Sequence, residues 1–130
     1  MIDSHTHTRY SNDSQARPED IIAAAVREDL SYLAITDHID FAPTDCRVDL
    51  NRYFGELAPF CGMQGNLYVA LGLEVGIQVC HQKEVAKFLE ELGRFPCDVV
   101  IASLHRVHGL DIGDGSFTRG KTEEFLWQEF

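Results

Sequence analysis

Leu67-Tyr68-Val69-Ala70-Leu71-Gly72-Leu73-Glu74 is the stretch on which the fold turns. Seven largely apolar residues without polar alternation describe a strand covered on both faces, as in parallel sheets flanked by helices. A carboxylate closing such a run is costly to bury unless something pairs with it. Similar runs lie on either side. Tyr32-Leu33-Ala34-Ile35-Thr36 ends at Asp37-His38, and Asp98-Val99-Val100-Ile101-Ala102-Ser103-Leu104, also expected to be buried, leads straight into His105. A fourth segment, Ile2-Asp3-Ser4-His5-Thr6-His7, carries imidazoles at i and i+2, which leave a strand from the same face.

Helical patterns separate these strands. Arg17-Pro18-Glu19-Asp20 opens the first, with proline suited to the first position and acids in the first turn. Its stripe Ile21, Ile22, Ala25 and Val26 is expected to be buried, and it should stop near Asp29-Leu30. Residues 39–48, with Pro43 and the acids Asp40 and Asp45, read as an excursion. A second helix then starts at Asp49-Leu50 and runs through Tyr53, Phe54, Leu57 and Phe60, kinked or shortened by Pro59, before Gly62 and Gly65 close the segment. In the third helix Val85, Phe88, Leu89 and Leu92 form a core stripe, with Gly93 as a stop and Pro96 beyond it. His81 opens that helix and has no assigned function. A loop containing Gly109, Gly113, Gly115 and Gly120 leads to a last helix from Thr122. Strand and helix alternate at roughly thirty residues per unit, the length of a βαβ crossover. The expected class is α/β with parallel strands, in one domain spanning residues 1–130.

Composition narrows the function. The chain has 130 residues, 45% of them hydrophobic, enough for one core, and nothing approaches the length of a membrane span. With 21 acidic against 11 basic residues the formal charge is -10, which disfavours a nucleic-acid partner. Cys46, Cys61, Cys80 and Cys97 form no Cys-x-x-Cys pair and read as reduced, mostly buried thiols. No basic segment followed by an apolar run marks a secretory signal, so a soluble cytoplasmic protein is expected.

The four strands deliver ionisable groups at one end: His5 and His7, Asp37 and His38, Glu74, and His105. In parallel sheets and barrels, ligands bind at the carboxyl ends of the strands. Imidazoles and carboxylates together suit zinc, iron or manganese, and a carboxylate such as Glu74 can bridge two ions with a hydroxide between them.

The same residues resemble the polymerase-and-histidinol-phosphatase (PHP) superfamily, whose pattern is His-x-His, Thr-Asp-His, a strand-terminal Glu and Ser-x-His. The resemblance spans the chain. It is strongest to the monofunctional histidinol-phosphatase branch, through His5-Thr6-His7-Thr8, Ser11-Asn12-Asp13, Gly72-Leu73-Glu74-Val75-Gly76, Ser103-Leu104-His105 and the loop Gly109 to Gly120. It implies the N-terminal four βα units of a distorted (β/α)7 TIM-like barrel, not closed within this chain. It also implies up to three divalent ions: one on His5, His7 and Glu74, a second on Glu74 and His105, a third on Asp13 and His38. Some relatives carry histidine at the place of Asp13, which also reads as a simple turn residue. Asp37 reads as a structural carboxylate or as one that orients a neighbouring ligand.

The activity so implied is hydrolysis of a phosphate monoester, histidinol phosphate, by a metal-bridged hydroxide, with Glu74, His105 and His38 nearest the chemistry. Arg9, Arg106 and His108 are candidates for the phosphate, against the plainer reading of solvated arginines and a locally bonded loop histidine. Relatives continue for about as many residues again and supply a further His and an Asp-x-His. The chain ends inside an amphipathic helix at Trp127-Gln128-Glu129-Phe130, which suggests a truncated form, marginal alone, with open edges through which it would form a homo-oligomer. Two alternatives share the ligands: a PHP nuclease module acting on phosphodiesters, and a non-catalytic metal-binding fragment.

Overall fold

A computed structural model describes residues 1–41 and 48–129; Pro43 and Cys46 of the sequence reading lie outside them. In chain order the elements are β1 (Ile2–Thr6), α1 (Pro18–Arg27), β2 (Tyr32–Ile39), α2 (Leu50–Leu57), β3 (Gly62–Gln64), β4 (Leu67–Gly76), α3 (Gln82–Leu92), β5 (Val99–Ser103), β6 (Arg106–Val107), β7 (Leu110–Asp111) and α4 (Glu123–Glu129). β1, β2, β4 and β5 are adjacent in that order and parallel. The register between β2 and β4 is unbroken from Tyr32 opposite Tyr68 to Ile39 opposite Val75, and it sets His38 opposite Glu74.

Local chemistry explains the elements. α1 begins at Pro18 with Glu19 and Asp20 in its first turn. It ends in a Schellman pattern: Asp29 takes a left-handed conformation (φ 54°), its N–H donates to Val26 O, and Leu30 N donates to Ala25 O. Asp49 caps α2 by accepting from Arg52 N at 3.0 Å. Pro59 shortens this helix and does not kink it: α2 ends at Leu57, and the chain tightens into a 3-10 turn at Ala58–Phe60.

Alternation along the strands divides the residues between two faces. Leu33, Ile35 and Ile39 of β2, with Leu71, Leu73 and Val75 of β4, join Ala25, Tyr53, Phe54, Leu57, Val85 and Leu92 in the core beneath the helices. The opposite face carries small residues, Ala34, Thr36, Ala70 and Gly72, and then His38 and Glu74. A Cβ on Gly72 would collide with the Val99 carbonyl oxygen, so glycine lets β5 lie close.

Several expectations need correction. Val26 is 55% exposed and Leu89 40%, because the helix stripes are narrower than their apolar residues suggest. β5 is half-exposed, with Val100 at 45%, since among the described residues it pairs with β4 alone. The described thiols are less buried than expected: Cys80 is exposed, Cys61 and Cys97 intermediate. β3 is an antiparallel hairpin partner on the first part of β4 (Gly62 to Val69), sharing that edge with β5, which pairs further along. The glycine-rich loop includes the β6–β7 hairpin, turned at His108-Gly109, both at positive φ. No described helix is long and apolar enough to cross a membrane.

Candidate metal centre

Glu74 stands at the middle of the strand ends with its side chain 5% exposed. Its Oε2 lies 3.0 Å from His5 Nε2, 3.2 Å from His7 Nε2 and 3.0 Å from His38 Nδ1; its Oε1 lies 3.1 Å from His105 Nε2. One carboxylate thus faces imidazoles from β1, from the residue just beyond it, from β2 and from the segment after β5. Burial pushes the Glu74 carboxyl up, but hydrogen bonds from Ser103, His105 and His5 and the nearby His38 ring outweigh it and hold it at about 2.

Asp13 sits behind the rings, 3.2 Å from His7 Nδ1 and 3.2 Å from His38 Nε2. Burial raises its carboxyl, and these two histidines more than reverse the effect, leaving it below its usual value. His105 turns its second nitrogen to Asp40, with Nδ1 donating to Oδ1 at 2.8 Å. Hydrogen bonding to Asp40 raises the His105 imidazole; burial opposes this, Glu74 adds to it, and the result is about 9.

Two observations indicate that these donors suit a cation. His5 Nε2 and His7 Nε2 are 2.9 Å apart and face the same carboxylate oxygen, so one proton between them leaves a lone pair aimed into the cluster. His38 Nδ1 is buried and, despite its closeness to Glu74, makes no hydrogen bond among the described residues. Among the described residues, three groups converge with ligand atoms within 4.8 Å of one another: His5, His7 and Glu74; His7, Asp13 and His38; and His38, Asp40 and His105. Nitrogen and oxygen donors so placed fit a divalent transition metal.

The cluster therefore gathers His5, His7, Asp13, His38, Glu74 and His105. Asp37, one residue from His38, points the other way and is fully buried. Its carboxylate accepts from Thr8 N (2.7 Å), Thr8 Oγ1 (2.8 Å), Ser11 Oγ (2.7 Å) and Tyr53 Oη (3.2 Å), tying the loop after β1 to α2. Burial, then the Asp37 charge, drives the Tyr53 phenol far above its usual range, so it remains a donor. Arg106 lines a cavity of about 420 Å³ together with Asp13, His38, Asp40, His105 and Asp111. Arg9 lies 3.7 Å from Glu56 on α2, and Tyr10 Oη donates to the same carboxylate. His108 forms the tip of the β6–β7 hairpin.

Asp40 is the residue that the sequence reading missed. It falls within the apparent excursion at residues 39–48, yet His38 and Asp40 have the same i, i+2 spacing as His5 and His7. That periodicity was the available signal.

A parallel sheet flanked by helices, with imidazoles and carboxylates clustered at the carboxyl ends of its strands, defines an α/β protein with a candidate metal centre. The chain belongs to the PHP domain family, whose model matches residues 3–129. It is 29% identical to histidinol-phosphatase of Lactococcus lactis subsp. lactis (strain IL1403) over 99% of its own length and 48% of the relative. It is 26% identical to a probable histidinol-phosphatase of Clostridium acetobutylicum over 100% of this chain and 49% of that one. A solved structure, histidinol phosphate phosphatase from Lactococcus lactis complexed with zinc, L-histidinol and phosphate, superposes with a TM-score of 0.82 at 30% identity, covering 98% of this chain and 49% of its own. The chain spans about half the length of the relatives it matches. Its fold is an open half-barrel of parallel strands, as expected.

Proposed function

We propose that the protein is a metal-dependent phosphoric monoester hydrolase acting on L-histidinol phosphate, giving L-histidinol and phosphate in histidine biosynthesis. The observation that carries this reading is Glu74, buried, with one oxygen facing three imidazoles and the other a fourth. We assign His5, His7 and Glu74 to one ion, Glu74 and His105 to a second, and Asp13 and His38 to a third, within a single partial domain spanning residues 1–130. Bound divalent ions supply Lewis-acid chemistry, acidifying water and neutralising phosphoryl oxygens; zinc, manganese and iron all suit these donors.

The chain's own residues bind and orient. Glu74 and His105 hold the centre of the site, and His38 flanks the cavity where the ester would lie. We assign Arg106, on the cavity wall, to the phosphate, with Arg9 and His108 contributing from the outer loops. The carboxylates of Asp13, Asp40 and Asp111 line the same cavity as Arg106, a mixture of charge that suits a phosphate ester also carrying an ammonium group. The similarity to an enzyme solved with zinc, L-histidinol and phosphate supports the choice of ester. A cytoplasmic location and pairing of two copies through the open strand edges belong to the same reading, the latter checked by sedimentation equilibrium.

The test is phosphate release by the intact protein, supplied with zinc or manganese, from L-histidinol phosphate and, separately, nucleotide release from single-stranded DNA. Turnover of the monoester alone is expected. Turnover of DNA alone would replace this reading with a nuclease, and turnover of neither would leave a metal-binding module.

A further inference from the structure

We infer that Asp40 is a positioning residue for the centre: it takes the Nδ1–H of His105 and thereby presents the His105 Nε2 lone pair toward Glu74. The inference rests on reading these imidazoles as metal ligands. Its geometry comes from three strands meeting at one point. Asp40 follows Ile39, which pairs with Val75, so Asp40 sits beside Gly76 and on the same face as His38. Gly76 in turn pairs with Ser103, two residues before His105. A Cβ on Gly76 would fall on Asp40 Oδ1 and lie 3.1 Å from His105 Nδ1. Glycine at this position therefore clears the space in which the carboxylate reaches the ring.

The contact itself is short and sheltered. His105 Nδ1 and Asp40 Oδ1 are 2.8 Å apart, with side chains 19% and 15% exposed, so water competes poorly for either partner. Asp40 and Glu74 occupy opposite nitrogens of one imidazole. An ion held between Nε2 and Glu74 therefore has the ring between itself and Asp40, which makes Asp40 an orienting group for that ligand. A carboxylate behind a ligating histidine selects the tautomer and raises the basicity of the far nitrogen. Asp13 is different: it lies 3.2 Å from both His7 and His38, is 53% exposed and bridges two rings.

The experiment measures zinc affinity of the intact protein by competition with a chelator, and the visible spectrum of the cobalt-substituted form. Asp40→Ala is expected to weaken the affected ion about 10- to 100-fold and to change the cobalt spectrum. Asp40→Asn, whose amide oxygen accepts the same Nδ1–H, should stay within about threefold of the native protein. Gly76→Ala, which displaces the carboxylate without removing it, should reproduce the loss. Native affinity in Asp40→Ala overturns the inference. So does an Asp40→Asn protein as weak as Asp40→Ala, which would make the negative charge, and not the orienting hydrogen bond to Nδ1–H, the source of the effect. If the native protein takes up no zinc, the metal reading fails and this inference falls with it; native uptake with an unaffected Asp40→Ala sinks this inference alone.

Discussion

On one face of the β2–β4 ladder, Leu33, Ile35, Leu71, Leu73 and Val75 pack beneath the helices, and the buried Asp37 carboxylate is met by four donors. On the other face, one residue along, His38 and Glu74 stand opposite each other, with Asp40 beyond them. The backbone and the residue types are shared; the difference is whether each polar group is satisfied by the protein. Asp37 is fully paired and therefore structural. His38 has a buried nitrogen without a hydrogen-bond partner among the described residues, and His5 and His7 aim nitrogens at one another, so this face is poised for a ligand.

Substitutions on the two faces should separate along that line. Glu74→Gln removes the charge shared by four imidazoles, and we expect zinc affinity to fall about a thousandfold, roughly 4 kcal/mol, measured by chelator competition, with phosphate release lost in parallel. Asp37→Ala should act through the fold. Four donors lose their acceptor, and urea denaturation of the metal-free protein should show a loss of about 3 kcal/mol. A loss of metal affinity with unchanged stability in Asp37→Ala would erase the distinction between the faces.

The pH dependence of the metal-free protein sharpens the comparison further. Glu74 titrates at about 2 in the folded chain against its usual 4.5, so its contribution is complete above pH 4.5 and is lost as the pH falls toward 2. His105 titrates at about 9 against 6.5; its contribution is complete below pH 6.5 and is lost as the pH rises through 9. Stability should therefore peak between pH 4.5 and 6.5 and fall on either side by about 2 kcal/mol, as read by denaturation at each pH. Zinc affinity should move the other way above pH 6.5, rising as the His105 proton becomes easier to displace. At the small end, Val26→Lys on the exposed flank of α1 should change stability by no more than about 0.5 kcal/mol in the same denaturation assay.

Much of this was legible in the residues. The uninterrupted apolar runs at 32–36 and 67–73 read as parallel strands because a run without polar alternation suits a sheet covered on both faces. Glu74 stood out because a carboxylate ending such a run needs partners. Asp40 was hidden in a segment whose proline and acids resembled a loop, although β2 continues to Ile39 and carries its alternation to the next residue. The overestimated burial of Val26, Leu89 and β5 has a common cause: periodicity reports which side of an element is apolar, and says nothing of whether a neighbour covers it.

The sequence by itself determined the order of the four parallel strands and the helices between them, the face from which His5 and His7 project, and the supply of imidazoles and carboxylates, since these follow from local periodicity and side-chain chemistry. Tertiary structure alone decided which of those groups meet. The β2–β4 register sets His38 opposite Glu74, the split edge of β4 brings His105 to its other oxygen, and the bare Cα of Gly76 admits Asp40. Contacts between residues 31 and 69 positions apart depend on how the sheet is assembled, and no local pattern encodes that distance.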